Sequence, residues 1–467
     1  MANIYSGQYG KETTSENALV TNLLKYPEIA AKLIEQYPRF SLTYLLNGLG
    51  FNAGEKIIGD YAFEWKVQGR YRKPGVLNAT FDGATAGSTF TAVLKHGSGN
   101  YGDNLNVNDV VRFKDGSTAM VTDVPSASGS TNTVTFRAID STVAAGSAAA
   151  AGDIIGCIGN AFNQGSLASE VGQNYSYPDT YKNWLTLSRK KCKIMGTDLT
   201  DVTWIENNGH RLWYFTKEQQ MTDQFMYELE LNRWYGKKTM AGDSSFPGAR
   251  GTATSGLPIM GDGLLAQIDA SNQATYTAGA LSEEDIVNYI GVLSKNALSP
   301  EGNVWTVYTG TQGRIDFHRA MKDLLVSGGA GGAEMMAKGG SSVSLGANFS
   351  EYNVLGNKMV LAYCPVFDDP NLHSATSATF DSSNESGKMV FLDMGQQQGV
   401  ANVELIAKGA EGMSRNFVKK YVPGMVNPYD YSSMMAASGD DFFECQILTE
   451  SGIIVRNPLS CGILSNS

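Results

Sequence analysis

The chain has 467 residues, which at about 100–200 residues per domain predicts two to four domains. Its 52 Gly are about one residue in nine, against about 7% in an average protein, and charged residues are only 18%. A 42% hydrophobic content excludes wholesale disorder, and a net charge of −10 argues against a sequence-reading nucleic-acid binder, whose face needs clustered Lys and Arg.

Residues 1–54 read as an arm of short helices. Leu19, Leu23, Leu24 and Tyr26 make one apolar piece that Pro27 stops, and Ile29, Leu33 and Ile34 a second that Pro38 ends. Each piece buries little by itself, so the arm is expected to lie on something else. From Tyr61 the period changes to two: Phe63, Trp65 and Val67 alternate with Glu64, Lys66 and Gln68, a strand signature that ends at Arg70-Tyr71-Arg72-Lys73-Pro74. Residues 76–158 form a Gly/Ala/Ser/Thr-rich β segment, read as a small barrel or sandwich inserted into a larger unit. Its clearest signal is a hairpin over 110–124, in which Asp115-Gly116 suits a type I′ turn. Tyr175, Tyr177, Pro178 and Tyr181 then precede Trp184-Leu185-Thr186-Leu187 in an extended segment expected to return beside 61–72.

The strongest helix is predicted over 217–235. Thr216 and Gln219 fit a capping box, Met221, Phe225 and Leu229 repeat every four residues, and Gly236 closes a rod of roughly 28 Å. A second helix opens at Ser282, with Glu283, Glu284 and Asp285 in its first turn and Ile286, Tyr289, Ile290 and Leu293 as its stripe. A strand over 304–308 and a helix carrying Phe317, Met321, Leu324 and Leu325 follow, then a glycine tip at Gly328, Gly329, Gly331 and Gly332. Late strands are expected over 358–363, 388–393 and 402–407. A terminal hairpin, 442–448 with 453–456, is expected to turn at Glu450-Ser451-Gly452.

Catalytic signatures are weak. Gly97-Ser98-Gly99-Asn100-Tyr101-Gly102 matches G-x-G-x-x-G, but a β-hairpin rather than a helix follows, so it reads as a glycine turn. His96, His210, His318 and His373 are too scattered for a visible metal motif, and the expected set of metals, cofactors and catalytic residues is none. A glycosidase needs only two carboxylates, with Glu64, Asp179, Glu206 and Asp369 as candidates and Trp65, Trp184 or Trp204 as sugar platforms. Those Trp read more simply as interface or core anchors. The five Cys form no framework of close spacings and read as buried reduced thiols. Arg189-Lys190-Lys191-Cys192-Lys193 is read as a solvated or subunit-facing strip rather than a duplex-binding stripe. No apolar run approaches the roughly 20 residues that span a bilayer, so no membrane partner is expected.

The order of elements, together with the stretches 1–37 and 175–235, resembles the major capsid proteins of tailed phages, closest to those of crAss-like phages. The resemblance implies an α+β chain with the HK-97-type fold and an inserted small all-β domain. It assigns an N-terminal arm at 1–54, an extended loop at 55–75 and 159–186, and the insertion at 76–158. A peripheral domain at 187–263 carries the spine helix, an axial domain covers 264–350, and return strands run over 351–467. It implies a non-enzymatic virion protein, assembled in the host cytoplasm, that joins copies of itself into pentamers and hexamers of an icosahedral head around double-stranded DNA. A portal protein at one vertex, scaffold and decoration proteins would be its other partners, and the duplex would be touched weakly and without sequence preference. Trp65, Arg70, Tyr71, Arg72, Tyr175, Tyr177, Tyr181 and Trp184 are the expected intersubunit contacts, since aromatics and Arg supply much of an interface's energy. The glycine tip would lie near the five- or six-fold axis. The alternative reading of the residues is a carbohydrate-binding adhesin or a tail or fibre structural protein.

Overall fold

Strands β1 (Lys56–Ile58) and β2 (Ala62–Val67) open the described part of the chain. The computed structural model describes residues 56–68, 75–81, 83–96, 105–125, 129–139, 142–143, 150–165, 178–200, 202–207, 210–238, 259–277, 279–297, 302–327, 351–369, 385–397, 400–410, 413–425 and 439–466. The arm over 1–54, Arg70, Tyr71, Arg72, the glycine motif at 97–102, Tyr175, Tyr177, His373 and the tip glycines Gly328, Gly329, Gly331 and Gly332 lie outside the described residues. The chain forms two compact units, Met1–Trp65 with Lys182–Ser467, and Lys66–Tyr181.

The second unit contains β3 (Gly75–Val76), β4 (Ala84–Thr85), β5 (Thr89–Lys95), β6 (Asp109–Arg112), β7 (Thr118–Asp123), β8 (Thr131–Ala138), β9 (Thr142–Val143) and β10 (Ile154–Asn160). Six of them run in the order β3-β10-β6-β7-β8-β5. Leu77, next to β3, bridges Leu94 of β5, and Asn78 N donates to Val93 O at 2.8 Å, so the sheet closes into a small barrel. Phe81, Phe90, Phe113 and Phe136 fill it, with neighbouring ring centroids 5.0–6.0 Å apart. The hairpin between β6 and β7 departs from the expected turn. Gly116 N donates to Phe113 O, which makes Lys114-Asp115 the central pair, and Gly116 follows at φ +93. Asp115 needs no positive φ because the loop is three residues long, a turn followed by a left-handed glycine.

β11 (Asp179–Trp184) pairs with β2 and leads into β12 (Thr186–Met195), β13 (Val202–Asn207) and β14 (His210–Leu212). Helix α1 (Trp213–Tyr235) is 23 residues long. It starts four residues before the predicted start because β14 runs straight into it, so Thr216 lies inside the helix and not at its cap. There follow α2 (Leu264–Gln267), β15 (Gln273–Tyr276), α3 (Glu283–Asn296), β16 (Val304–Thr309) and α4 (Thr311–Ser327). The last strands are β17 (Glu351–Val354), β18 (Asn357–Tyr363), β19 (Met389–Asp393), β20 (Gln396–Gln397), β21 (Val400–Ala401), β22 (Val403–Ala410), β23 (Met413–Ser414), β24 (Val418–Pro423), β25 (Phe442–Val455) and β26 (Gly462–Asn466).

One sheet runs β1-β22-β25-β12, with β24 also on β25. Its backbone is β25, a single 14-residue strand where two hairpin arms were expected. Glu450-Ser451-Gly452 does not turn: Glu450 pairs with Leu187, Ser451 with Thr186 and Gly452 with Ile406. Glycine suits the close approach there, since a Cβ would meet Leu185 Cδ2 at 3.2 Å and Trp184 O at 3.3 Å. Helix α1 lies on this sheet with its four-residue stripe Met221, Phe225 and Leu229 against Cys192, Ile194, Phe443, Cys445 and Ile447.

The other sheet runs β15-β26-β19-β16-β18-β17, with β16 parallel to β18 and antiparallel to β19. Strand β16 is almost wholly buried because both its faces are covered. Trp305 and Val307 meet the α3 residues Ile286, Tyr289, Ile290 and Leu293 and the α4 residues Phe317 and Met321. Tyr308 joins Trp234, from the end of α1, and Phe367, with ring centroids 5.5 Å and 5.1 Å from Trp234. Ser282 caps α3 as predicted, in a reciprocal box with Asp285. One 23-residue helix therefore packs on the first sheet along its length and is anchored in the core of the second at its end.

Candidate functional site

Several acidic groups of the described surface are paired within the subunit. Glu64 pairs with Lys182 at 2.6 Å, Glu228 with Lys190 at 2.6 Å, Glu385 with Lys388 at 2.6 Å, Glu351 with Lys358 at 2.9 Å and Asp153 with Lys114 at 3.0 Å. Asp368 accepts from Thr311 N at 2.8 Å, Thr311 Oγ1 at 2.7 Å and Ser386 Oγ at 2.5 Å, which fixes the start of α4. The dent bordered by Trp184, Asn232, Arg233, Gly261, Asp262 and Ile453 measures about 10 Å³, the room of one water molecule. Among the described residues no group of three or more His, Cys, Asp or Glu is placed to hold a metal ion. No helix among them is long and apolar enough to cross a membrane.

Of the expected contact residues, Trp65 is half-buried on β2; its Nε1 donates to Arg456 O at 3.2 Å and its ring lies 5.9 Å from that of Phe63. Tyr181 is half-buried on β11. Trp184 is a correction. It is 4% exposed, with Lys238 Nζ 5.8 Å above its ring, so it serves the interior of its own subunit and presents no outward surface. The cause is the neighbouring Asn183, which is buried and donates to Asp262 O and Ile453 O, clamping this end of β11 against the rest of the unit.

The basic strip on β12 divides by strand period. Cys192 and Ile194 turn inward toward α1, as does Lys190, whose ammonium meets Glu228 of that helix. Arg189, Lys191 and Lys193 turn the other way and are exposed. Register extends that outer face across the sheet: Lys191 stands opposite Gln446 on β25, and Gln446 opposite Lys420, also exposed, on β24. Lys420 is too distant in the chain to be grouped with the strip from the sequence. On the inner face, Glu218 of α1 takes a hydrogen bond from Tyr421 at 2.7 Å and pairs with Lys419. Lys217 donates to Lys193 O at 3.0 Å, and burial pulls its pKa down to about 8. Burial likewise pushes the opposed Cys192 and Cys445 thiols up, to about 12 and about 11.

A unit whose two sheets are braced by one helix and carry broad exposed faces fits a structural assembly subunit. Comparison with known proteins makes that class specific. The chain belongs to the Crassvirus major capsid protein family, which it matches over residues 2–467. It is a capsid-forming major capsid protein, a virion component that self-associates into the shell, and the adhesin or fibre alternative gives way to that reading. Among solved structures it is similar to one from Mycobacterium phage Adephagia (8% identity, 98% of this chain and 99% of that chain, TM-score 0.39). It is also similar to one from Microbacterium phage Oxtober96 (9% identity, 98% and 99%, TM-score 0.38) and to the SrpI encapsulin of Synechococcus elongatus (11% identity, 62% and 76%, TM-score 0.33). No curated protein matches it.

Proposed function

We propose that this capsid subunit has the HK-97-type fold and assembles into pentamers and hexamers of an icosahedral head around double-stranded DNA. The observation that carries this reading is the bracing of the two sheets by α1, from its Met221, Phe225 and Leu229 stripe to Trp234 in the second core. Head-to-tail contacts around an axis generate rings, and a stiff subunit keeps the angle that closes them. The extended loop at 55–75 and 159–186 overlaps a neighbour, with Trp65, Arg70, Tyr71, Arg72, Tyr175, Tyr177 and Tyr181 in the contact, and the 328–332 glycines lie near the symmetry axis. The protein is not an enzyme and needs no cofactor. It is assembled in the host cytoplasm, meets a portal at one vertex and is served by scaffold and decoration proteins. The barrel inserted at 76–158 braces neighbours or docks a decoration protein.

Negative-stain imaging of the chain expressed with and without its neighbouring phage genes tests the reading. Closed icosahedral particles are expected; trimers, fibres or a compact monomer overturn it. Removing residues 76–156 should weaken the shell or empty it of decoration protein, and unchanged stability with unchanged occupancy refutes the role given to the barrel.

A further inference from the structure

The outer face of the β12–β25–β24 sheet gathers four exposed cations. Arg189, Lys191 and Lys193 repeat every second residue, about 7 Å apart along the strand, and Lys420 lies two strands over, about 10 Å from Lys191. Arg189, Lys191 and Lys420 have no ion-pair partner among the described residues. Lys193 rests 3.8 Å from the Phe442 ring on the same face. Two carboxylates share this face: Glu444, buried, hydrogen-bonded by Gln446 and opposite Lys193 in register, and Glu450, held by Arg415 at 2.8 Å and 2.9 Å, so four cations stand against the one charge of Glu444. The opposite face carries α1, so this side of the sheet is the one left open by the helix.

An evenly spaced row of cations in a chain of net charge −10 calls for a polyanion. Duplex DNA offers one negative charge per about 1.7 Å of its length, in any sequence. A second copy of the chain would offer single carboxylates, whereas a duplex offers a continuous repeat of charge to match the row. We infer that the open face of the β12–β25–β24 sheet is where the shell wall touches the phosphate backbone of the packaged duplex. The inference rests on the capsid reading above and deepens it. The net negative charge keeps the rest of the wall from adhering, so the contact is local, weak and indifferent to sequence.

The test is binding of the purified full-length chain to a fluorescein-labelled duplex of arbitrary sequence, read by anisotropy between about 50 and 200 mM salt. The Arg189→Gln, Lys191→Gln, Lys420→Gln variant is compared with wild type and with a Lys56→Gln, Lys237→Gln, Lys295→Gln variant of equal charge change. All six positions are exposed, so both variants should fold. The face variant should bind more weakly and lose about three units from the slope of log K against log salt, while the control keeps most of the slope. Equal slopes in the two variants overturn the inference. So does a face variant that binds the duplex like wild type but no longer forms particles, since the face is then a contact between copies. Particle formation by wild type, imaged on the same preparations, separates the two claims: no particles sinks the capsid reading and this inference with it, whereas particles with an unchanged slope sink the inference alone.

Discussion

Replacing Arg415 with Met removes a bidentate pair from the middle of the longest strand. Arg415 Nε and Nη2 donate to Glu450 Oε2 and Oε1 at 2.8 Å and 2.9 Å, and the hydrogen bond raises the pKa of the guanidinium still further. The Glu450 side chain is 3% exposed and that of Arg415 41%. Stripping the partner from a buried charge costs about 3–5 kcal/mol. Water reaches the guanidinium side of this pair, which screens the charge left behind, so about 2–3 kcal/mol is expected here. The assay is urea unfolding of unassembled subunits for Arg415→Met, Glu450→Gln and the double variant. Glu450→Gln keeps the shape of the side chain, and the double variant should recover at least about 1 kcal/mol relative to the sum of the singles. If Arg415→Met lies within about 0.5 kcal/mol of wild type, or the singles add to within that margin, the ion pair does not hold β25 in place.

Three further outcomes follow from the same geometry. Phe225→Ala, at a side chain 1% exposed between α1 and the sheet, should cost about 3–5 kcal/mol in urea unfolding and reduce the yield of closed particles. Iodoacetamide at neutral pH should label Cys157 first, because Cys157 is half-buried while Cys192, Cys364, Cys445 and Cys461 are buried with thiol pKa values pushed up by desolvation; peptide mapping reads the order. Lys217→Met should stabilise the subunit near pH 7. The folded amine titrates at about 8 against 10.5 unfolded, so between those values the unfolded chain binds more protons and wild-type stability rises with pH. Below pH 8 the full penalty applies, discounted to about 1 kcal/mol because the group is only half-buried, and the gap between variant and wild type should close by pH 10.5.

Local period and cap chemistry made parts of this fold legible from residues alone. The stripe Met221, Phe225 and Leu229 and the box of Ser282 with Asp285 needed nothing beyond near neighbours, and the structure has both. Errors fell where a distant partner overrides a local signal. Glu450-Ser451-Gly452 has the composition of a turn, yet Arg415 neutralises the glutamate and Leu185 packs over the glycine, so the strand continues. Trp184 has the look of an interface aromatic in an extended segment. What buries it is Asn183 reaching Asp262 and Ile453, neither predictable from the run of residues around it.

The basic face shows the same limit from the opposite direction. Arg189-Lys190-Lys191-Cys192-Lys193 is one block of charge in the sequence, and a block suggests one role. A strand's period of two splits it: Lys190 is drawn inward to Glu228, the thiol of Cys192 goes to the core, and three cations face outward. The fourth, Lys420, arrives through the register of β24 on β25 and of β25 on β12. A surface assembled by register has no linear motif, so a shell protein whose work is done by faces is read poorly by motif and better by the sheets that align its residues.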